Sequence, residues 1–220
     1  MASRAYSDPC GIARALDRVG ERWSLLVVRE LLLGPKRFAD LQRGLRDISP
    51  NVLTQRLKEL EAAGVVRRVT LGPPVGTHVY ELTRWGRELD DTLLALARWG
   101  SQAPLPRHGS LSNDALVVSL RTTFDGVAAA RVTVSANLRL DNDQISLRVK
   151  NGELVVSRDR MHDADIDIDT DAATMRGLVY AGRAVDDAIA DGQLNLRGRR
   201  STLRQLLRCF TRPERHADAR

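Results

Sequence analysis

The chain has 220 residues, enough for one large domain or two ordinary ones, each with its own core. Its formal net charge of +6 favours polyanionic partners. Two cysteines, near opposite ends, exclude a disulfide framework and favour a reducing compartment. Residues 1–10 are polar, and the most apolar stretch, 23–33, carries Arg29 and Glu30, so we expect a soluble, cytoplasmic protein without signal peptide or membrane helix.

The hydrophobic pattern divides the chain in two. Prolines, glycines and small polar residues interrupt any periodicity between about residues 100 and 112, which predicts a linker at 103–112. Before the linker, over 1–102, apolar residues recur at helical spacing, and after it the period changes to two. We therefore expect two domains, at 1–102 and 113–212, and a basic tail at 213–220.

The first predicted helix carries Ile12, Leu16 and Val19, and Cys10 directly precedes it. A thiol at the N-terminus of a helix, with Arg14 one turn on, reacts more readily with oxidants or electrophiles. Cys10 is therefore a candidate redox residue. The alternative, which its residue type favours, is a small buried side chain.

The clearest helix signals are at residues 49–64. Ser49 is a good N-cap, Pro50 is in the first helical position, and the helix ends at Gly64. Its apolar residues fall on one face, and the opposite face carries amide and amine groups that bind base edges or phosphates. The apolar face has Leu53, Leu57 and Leu60, and the polar face has Asn51, Gln55 and Lys58. Taken alone, the segment is equally compatible with an ordinary amphipathic surface helix.

The neighbouring segments favour DNA binding. A short helix at 38–45 and a turn at 46–48 precede the helix that begins at Ser49. Two strands follow it, at 65–69 and 78–82, and a tip of glycines and prolines at 72–76 joins them. Helix, turn, helix and hairpin together predict a winged helix-turn-helix. The residues predicted to contact DNA are Lys36, Arg37, Ser49, Pro50, Asn51, Thr54, Gln55, Arg56, Lys58, Arg68 and His78. For Lys36 and Arg37, plain solvated surface is an equal alternative, and for Arg68 and His78 it is favoured.

Four stretches, at 10–26, 29–41, 48–61 and 80–89, carry a family resemblance. In order and without large gaps, they resemble HxlR-type regulators over roughly residues 8–100. The resemblance implies a mainly α winged helix-turn-helix dimer that binds double-stranded operator DNA. The pair Pro73-Pro74 departs from the family pattern and stiffens the wing tip.

A further helix, running to Trp99, carries an apolar stripe that a single winged helix would leave exposed to water. This pattern predicts a two-fold dimer and an inverted-repeat operator. The candidate dimerisation residues are Ile12, Leu16, Leu89, Leu93, Leu96 and Trp99.

The second half begins with alternating residues at 132–140, then 145–149 and 154–156, separated by turn residues, which predicts an antiparallel meander. Helices are expected near 172–180 and 201–210. Alternating aspartates at 163–171 lack the glycine and glutamate of a calcium loop and are read as the polar face of a strand. The histidines lack zinc spacing, so no metal site is expected.

Segments 114–124, 165–171 and 192–207, with the alternating strands, resemble a sterol-carrier-protein-type domain. The resemblance implies an α+β sterol-carrier-protein-like fold with an apolar tunnel between sheet and helices. The candidate ligand-binding residues are Leu178, Leu194, Leu203, Leu206, Leu207 and Phe210. Plain core is the favoured alternative for each leucine.

Three functions are compatible with these patterns. The first is a DNA-binding transcription regulator controlled by a small apolar effector in the second domain. The alternatives are a lipid or small-molecule carrier with an incidental first domain, and an enzyme. The sequence contains no phosphate loop and no nucleophile elbow, so we expect no catalysis and no cofactor.

Overall fold

The computed structural model describes residues 5–72, 76–104, 109–211 and 214. Its contacts divide the chain into two compact units, Met1–Leu93 and Leu94–Arg220. This division lies before the predicted linker at 103–112. Most of the predicted basic tail and part of the linker lie outside the described residues.

Within its described residues, 5–72 and 76–93, the first unit contains five complete helices, the start of a sixth, and one hairpin. These elements are α1 (Gly11–Val19), α2 (Ser24–Leu31), α3 (Phe38–Gly44), α4 (Pro50–Ala62), β1 (Val66–Thr70), β2 (His78–Leu82), α5 (Arg84–Arg87) and α6 (Leu89–Gly100), which continues into the second unit. Strands β1 and β2 pair antiparallel, with Val66 opposite Leu82. Helix, turn, helix and hairpin therefore follow one another as predicted, and the winged helix-turn-helix is confirmed.

Helix α4 has defined signals at both ends. The Ser49 hydroxyl accepts a hydrogen bond from the Val52 amide at 3.4 Å, and Pro50 occupies the first turn, where its missing N–H costs nothing. Gly64 has φ +74°, a conformation that favours glycine. There the Val65 amide donates to the Leu60 carbonyl at 2.9 Å and the Gly64 amide to the Glu61 carbonyl at 2.9 Å. These paired bonds form a Schellman ending and confirm the predicted helix bounds.

The core of the first unit is built from apolar side chains of its helices and of the hairpin. Leu53, Leu57 and Leu60 of α4 are fully or almost fully buried in it, as their spacing predicts. Burying one such side chain contributes about 1.5–3 kcal/mol. This packing fixes which face of α4 points outward.

The second unit is α+β, as predicted. Its elements after α6 are α7 (Asn113–Thr123), β3 (Val134–Leu140), β4 (Asp143–Lys150), β5 (Glu153–Ser157), β6 (Ile166–Thr170), α8 (Ala172–Tyr180), α9 (Val185–Ala190), β7 (Leu194–Arg197) and α10 (Arg200–Leu207). The strands form one sheet in the order β5-β4-β3-β6-β7. All neighbours are antiparallel except β3 and β6, which are parallel.

The predicted meander is confirmed in β3, β4 and β5. Asn151 and Gly152, with φ +53° and +75°, join β4 to β5, the two positive values that a type I′ hairpin needs. One face of β3, with Val134, Ala136 and Leu138, is buried. The other face of the sheet is polar, and Asp167 and Asp169 lie on it as predicted.

Two of the alternating aspartates have other structural roles. Asp171 caps α8, accepting from the Thr174 amide at 2.7 Å. Asp165 accepts hydrogen bonds from the Ser135 hydroxyl and amide, each at 2.7 Å, and these two bonds lower the pKa of Asp165.

An ion cluster ties α7 to the sheet. Arg158, which follows β5, contacts buried Asp114 of α7 at 2.7 Å and Asp143 of β4 at 3.1 Å. Burial alone lowers the pKa of the Arg158 guanidinium, but the two carboxylates outweigh it, so that its pKa is raised. The guanidinium therefore remains charged and holds the two elements together.

Candidate nucleic-acid interface

Helix α4 presents a row of polar side chains to solvent. Asn51, Thr54, Gln55 and Lys58 are all exposed, because the opposite face of the helix is held in the core. Gln55 Nε2 donates to Glu59 Oε1 at 2.7 Å, and Thr54 Oγ1 donates to the Pro50 carbonyl at 2.8 Å. Asn and Gln amides match adenine edges, and Lys matches phosphate. The predicted polar face is therefore exposed along one helix.

Arg56 does not belong to this exposed row. Its side chain is only 15% exposed, and its Nη1 atom lies 3.2 Å from Glu21 Oε2 and 2.5 Å from Glu59 Oε2. The predicted position at the margin of the groove is wrong, because Arg56 faces the loop between α1 and α2. There its guanidinium balances two carboxylates.

Lys36 also lies elsewhere than predicted. Its Nζ atom donates to Glu30 Oε2 at 3.0 Å, and the Glu30 side chain is fully buried. Arg29 Nη2 donates to the other oxygen, Oε1, at 2.8 Å. A buried carboxylate needs such partners. Lys36 therefore neutralises an internal charge, and the predicted phosphate contact is wrong.

The remaining predicted contacts at the edges of the motif are exposed. Arg37 precedes α3, while Arg68 lies on β1 and His78 on β2. His78 Nδ1 lies 3.0 Å from the Thr70 hydroxyl, across the hairpin. The wing tip, including Pro73-Pro74, lies outside the described residues.

Two further exposed residues belong to this surface and were missed. Val52 is 39% exposed on α4, where an apolar side chain can contact a thymine methyl group. Arg46 is exposed in the turn before α4. The signal in the sequence was a basic residue three positions before the N-cap.

The candidate dimerisation residues separate into two groups. Leu93 is buried, and Leu89 packs against the same core, so they complete the first unit rather than remain exposed, and this part of the prediction is wrong. Ile12 and Leu16 on α1 are 72% and 41% exposed, and Leu96 and Trp99 on α6 are 45% and 74% exposed.

The two cysteines differ in solvent exposure. Cys10 is exposed, so the favoured alternative of a buried side chain is wrong. Its backbone amide donates to Asp8 Oδ1 at 2.8 Å. Cys209 is buried, and burial together with the nearby Asp125 carboxylate raises the pKa of its thiol.

The predicted ligand-binding leucines of the second unit are packed. Leu178, Leu194, Leu203, Leu206 and Phe210 are buried, and Leu207 is half-buried. Leu194 also lines a cleft of about 430 Å³ beside α9 and β7. A second cleft, of about 390 Å³, lies on the polar face of the sheet and is lined by Asn137, Arg139, Gln144, Arg160, Asp167, Ile168, Asp169, Asn195 and Arg197.

Among the described residues, no group of three or more His, Cys, Asp or Glu side chains is placed to hold a metal ion. Within the same ranges, no helix has the length and apolar character that crossing a membrane requires.

Comparison with known families divides the chain near residue 107. A family profile described as HxlR-like helix-turn-helix matches residues 18–107. A second profile, described as alkyl sulfatase C-terminal, matches residues 107–216, half of the chain. A double mutant of the sec-alkyl sulfatase PisA1 is 18% identical, with a TM-score of 0.43, over 50% of this chain and 17% of that protein.

Two curated relatives match the first half. An uncharacterized HTH-type transcriptional regulator of Mycobacterium tuberculosis is 41% identical over 96 residues, 44% of this chain and 60% of that protein. The uncharacterized HTH-type transcriptional regulator YtcD of Bacillus subtilis is 34% identical over 101 residues, 46% of this chain and 79% of that protein. The chain belongs to the HxlR-like helix-turn-helix family of transcriptional regulators in its first half and to the alkyl sulfatase C-terminal family in its second.

Proposed function

We propose that the protein is a cytoplasmic, sequence-specific DNA-binding regulator that reads the major groove with α4. The observation that carries this proposal is the exposed row of Asn51, Thr54, Gln55 and Lys58, held outward by the buried leucines of the same helix. Amide side chains discriminate bases through paired hydrogen bonds, and Lys58 adds a sequence-independent phosphate contact. Arg37, Arg68 and His78 then contact the backbone beside the groove.

The regulator acts as a two-fold dimer in this proposal. Ile12 and Leu16 on α1, and Leu96 and Trp99 on α6, are large apolar side chains exposed in a single chain. Contact with a second copy removes them from water. Two reading helices related by a two-fold axis bind an inverted repeat with half-sites about one helical turn apart.

The second domain is the sensor of a small effector and has no catalytic role. Its α+β architecture is compatible with the sterol-carrier-type fold, in which a ligand lies between sheet and helices. The packed positions of Leu203, Leu206 and Phe210 mean that an apolar ligand must open this core to enter. Such a ligand regulates only if its affinity for the DNA-competent arrangement differs from its affinity for the arrangement that cannot bind DNA.

Selection from a random-sequence DNA library tests the proposal. We expect the full chain to enrich an inverted repeat and to bind it about a thousand-fold or more tightly than unrelated DNA. A chain that binds every sequence alike overturns the regulator function. Thermal-shift screening with fatty acids and sterols, followed by DNA titration with each hit, tests the sensor role separately.

A further inference from the structure

The second domain has an uneven charge distribution. Residues 113–211 carry 14 Lys and Arg and 14 Asp and Glu side chains, so their net charge is zero. Within them, the segment 197–208 has five arginines and no acidic residue. These residues, here called the α10 basic surface, are Arg197, Arg199, Arg200, Arg204 and Arg208.

The arginine side chains of this surface are accessible. Arg197 is 85% exposed, Arg200 is 56% exposed and Arg204 is 49% exposed. Arg199 and Arg208 are exposed as well. Residues 200, 204 and 208 are spaced four apart, so they follow one face of α10 and its C-cap. The charges of Arg200, Arg204 and Arg208 therefore form a stripe along α10.

Acidic residues neutralise the stripe only in part. Asp186 of α9 pairs with Arg200 at 2.7 Å and also with Arg204. Asp167 lies 3.8 Å from Arg197. A carboxylate shared by two guanidiniums fixes their positions while leaving a net positive charge.

We propose that the α10 basic surface binds the phosphate backbone of DNA flanking the operator. The proposal rests on the proposed function, because α4 brings DNA to the chain. Arg200, Arg204 and Arg208 follow one another at four-residue intervals along α10, and a guanidinium binds phosphate oxygens through paired hydrogen bonds. Because both domains belong to one chain, the second contact is intramolecular and is favoured by a high effective concentration.

The test compares two double variants of the full chain on DNA. Arg204→Gln with Arg208→Gln removes two charges from the stripe and leaves the pair of Arg200 with Asp186 in place. Arg131→Gln with Arg148→Gln, two exposed arginines elsewhere in the same domain, is the matched control. Thermal unfolding establishes that all three chains are equally folded.

We expect the slope of log affinity against log salt concentration to become shallower by about two units in the stripe variant. Each phosphate contact contributes about 0.9 to this slope. Sequence preference is retained, because base contacts are made by α4. An unchanged slope, or an equal change in the control, overturns the proposal. If the slope flattens while the wild-type chain shows no sequence preference, the proposed function fails and the phosphate contact stands.

Vesicles with anionic phospholipid form a second arm of the experiment. If the stripe variant loses vesicle binding without a change in the DNA slope, the proposal is overturned in favour of a membrane surface.

Discussion

The ammonium group of Lys36 lies 3.0 Å from the carboxylate of Glu30, whose side chain is completely buried. The two residues join α2 to the segment before α3, and the Lys36 backbone forms a bridge with Tyr80 of β2. Gly44 of α3 also lies against Glu30, so closely that a Cβ at this position would clash with the carboxylate. Lys36 therefore connects the helix-turn-helix to the hairpin, through its ion pair with Glu30 on one side and its backbone bridge to Tyr80 on the other.

Replacing Lys36 by Ala leaves the buried carboxylate with one fewer partner. We expect a loss of about 3 kcal/mol in the free energy of unfolding, since removing one partner exposes the cost of burying the other charge. Urea denaturation measures it. Arg37→Ala, one residue on and exposed, is the control and should stay within about 0.5 kcal/mol of wild type. Equal effects in the two variants contradict an internal role for Lys36.

Gln55 and Lys58 should differ in what they contribute to DNA binding. Gln55→Ala is expected to relax preference at one base position and to cost roughly 1–3 kcal/mol on the selected operator. Lys58→Ala should weaken binding to all sequences alike and flatten the salt slope by about one unit. Competition titrations against operator and unrelated DNA separate the two. If neither substitution alters binding, α4 is not the reading helix.

The exposed and buried cysteines should react at very different rates. Cys10 is accessible in the folded chain, whereas Cys209 reacts only through local opening, since burial and Asp125 disfavour its thiolate. Labelling with a thiol reagent, followed by mass spectrometry, should modify Cys10 completely before Cys209. Comparable rates contradict the packing of Cys209. Cys10→Ser tests sensing: if peroxide or quinones still release DNA from this variant, Cys10 has no redox role.

Asp165 should contribute to the pH dependence of stability. Because hydrogen bonds from Ser135 lower the pKa of Asp165 in the folded chain, its contribution is present above the unfolded pKa and is lost as pH falls through the folded pKa. Ser135→Ala removes the hydroxyl donor and should move the acid-unfolding midpoint to higher pH. Thr133→Ala, exposed and two residues earlier, should leave it unchanged.

Dimerisation should depend on the exposed apolar side chains of α1 and α6. We expect Ile12→Ser with Trp99→Ser to shift the protein from dimer to monomer in light scattering at micromolar concentration. Val127→Ser, at an 89% exposed valine of the second domain, is the control. A wild-type chain that is already monomeric contradicts the dimer outright.

Local patterns made most of the fold predictable. The bounds of α4 follow from Ser49, Pro50 and Gly64, and the β4–β5 hairpin follows from Asn151-Gly152, because each signal acts within a few residues. The parallel pairing of β3 with β6 and the short helix α9 were not predicted, since they depend on contacts between segments distant in sequence or on few residues. The orientations of Lys36 and Arg56 could not be predicted either, because they depend on tertiary contacts. Their partners, Glu30 and Glu21, cannot be identified from the periodicity of the sequence.

The most direct test of the central claim is a binding titration of the 220-residue chain against its selected operator and against scrambled DNA of equal length. At physiological salt, we predict that the operator binds about a thousand-fold or more tightly than the scrambled DNA, and that Gln55→Ala narrows this affinity ratio by roughly 5- to 150-fold. Equal affinity of the wild-type chain for both DNAs would contradict sequence reading by α4.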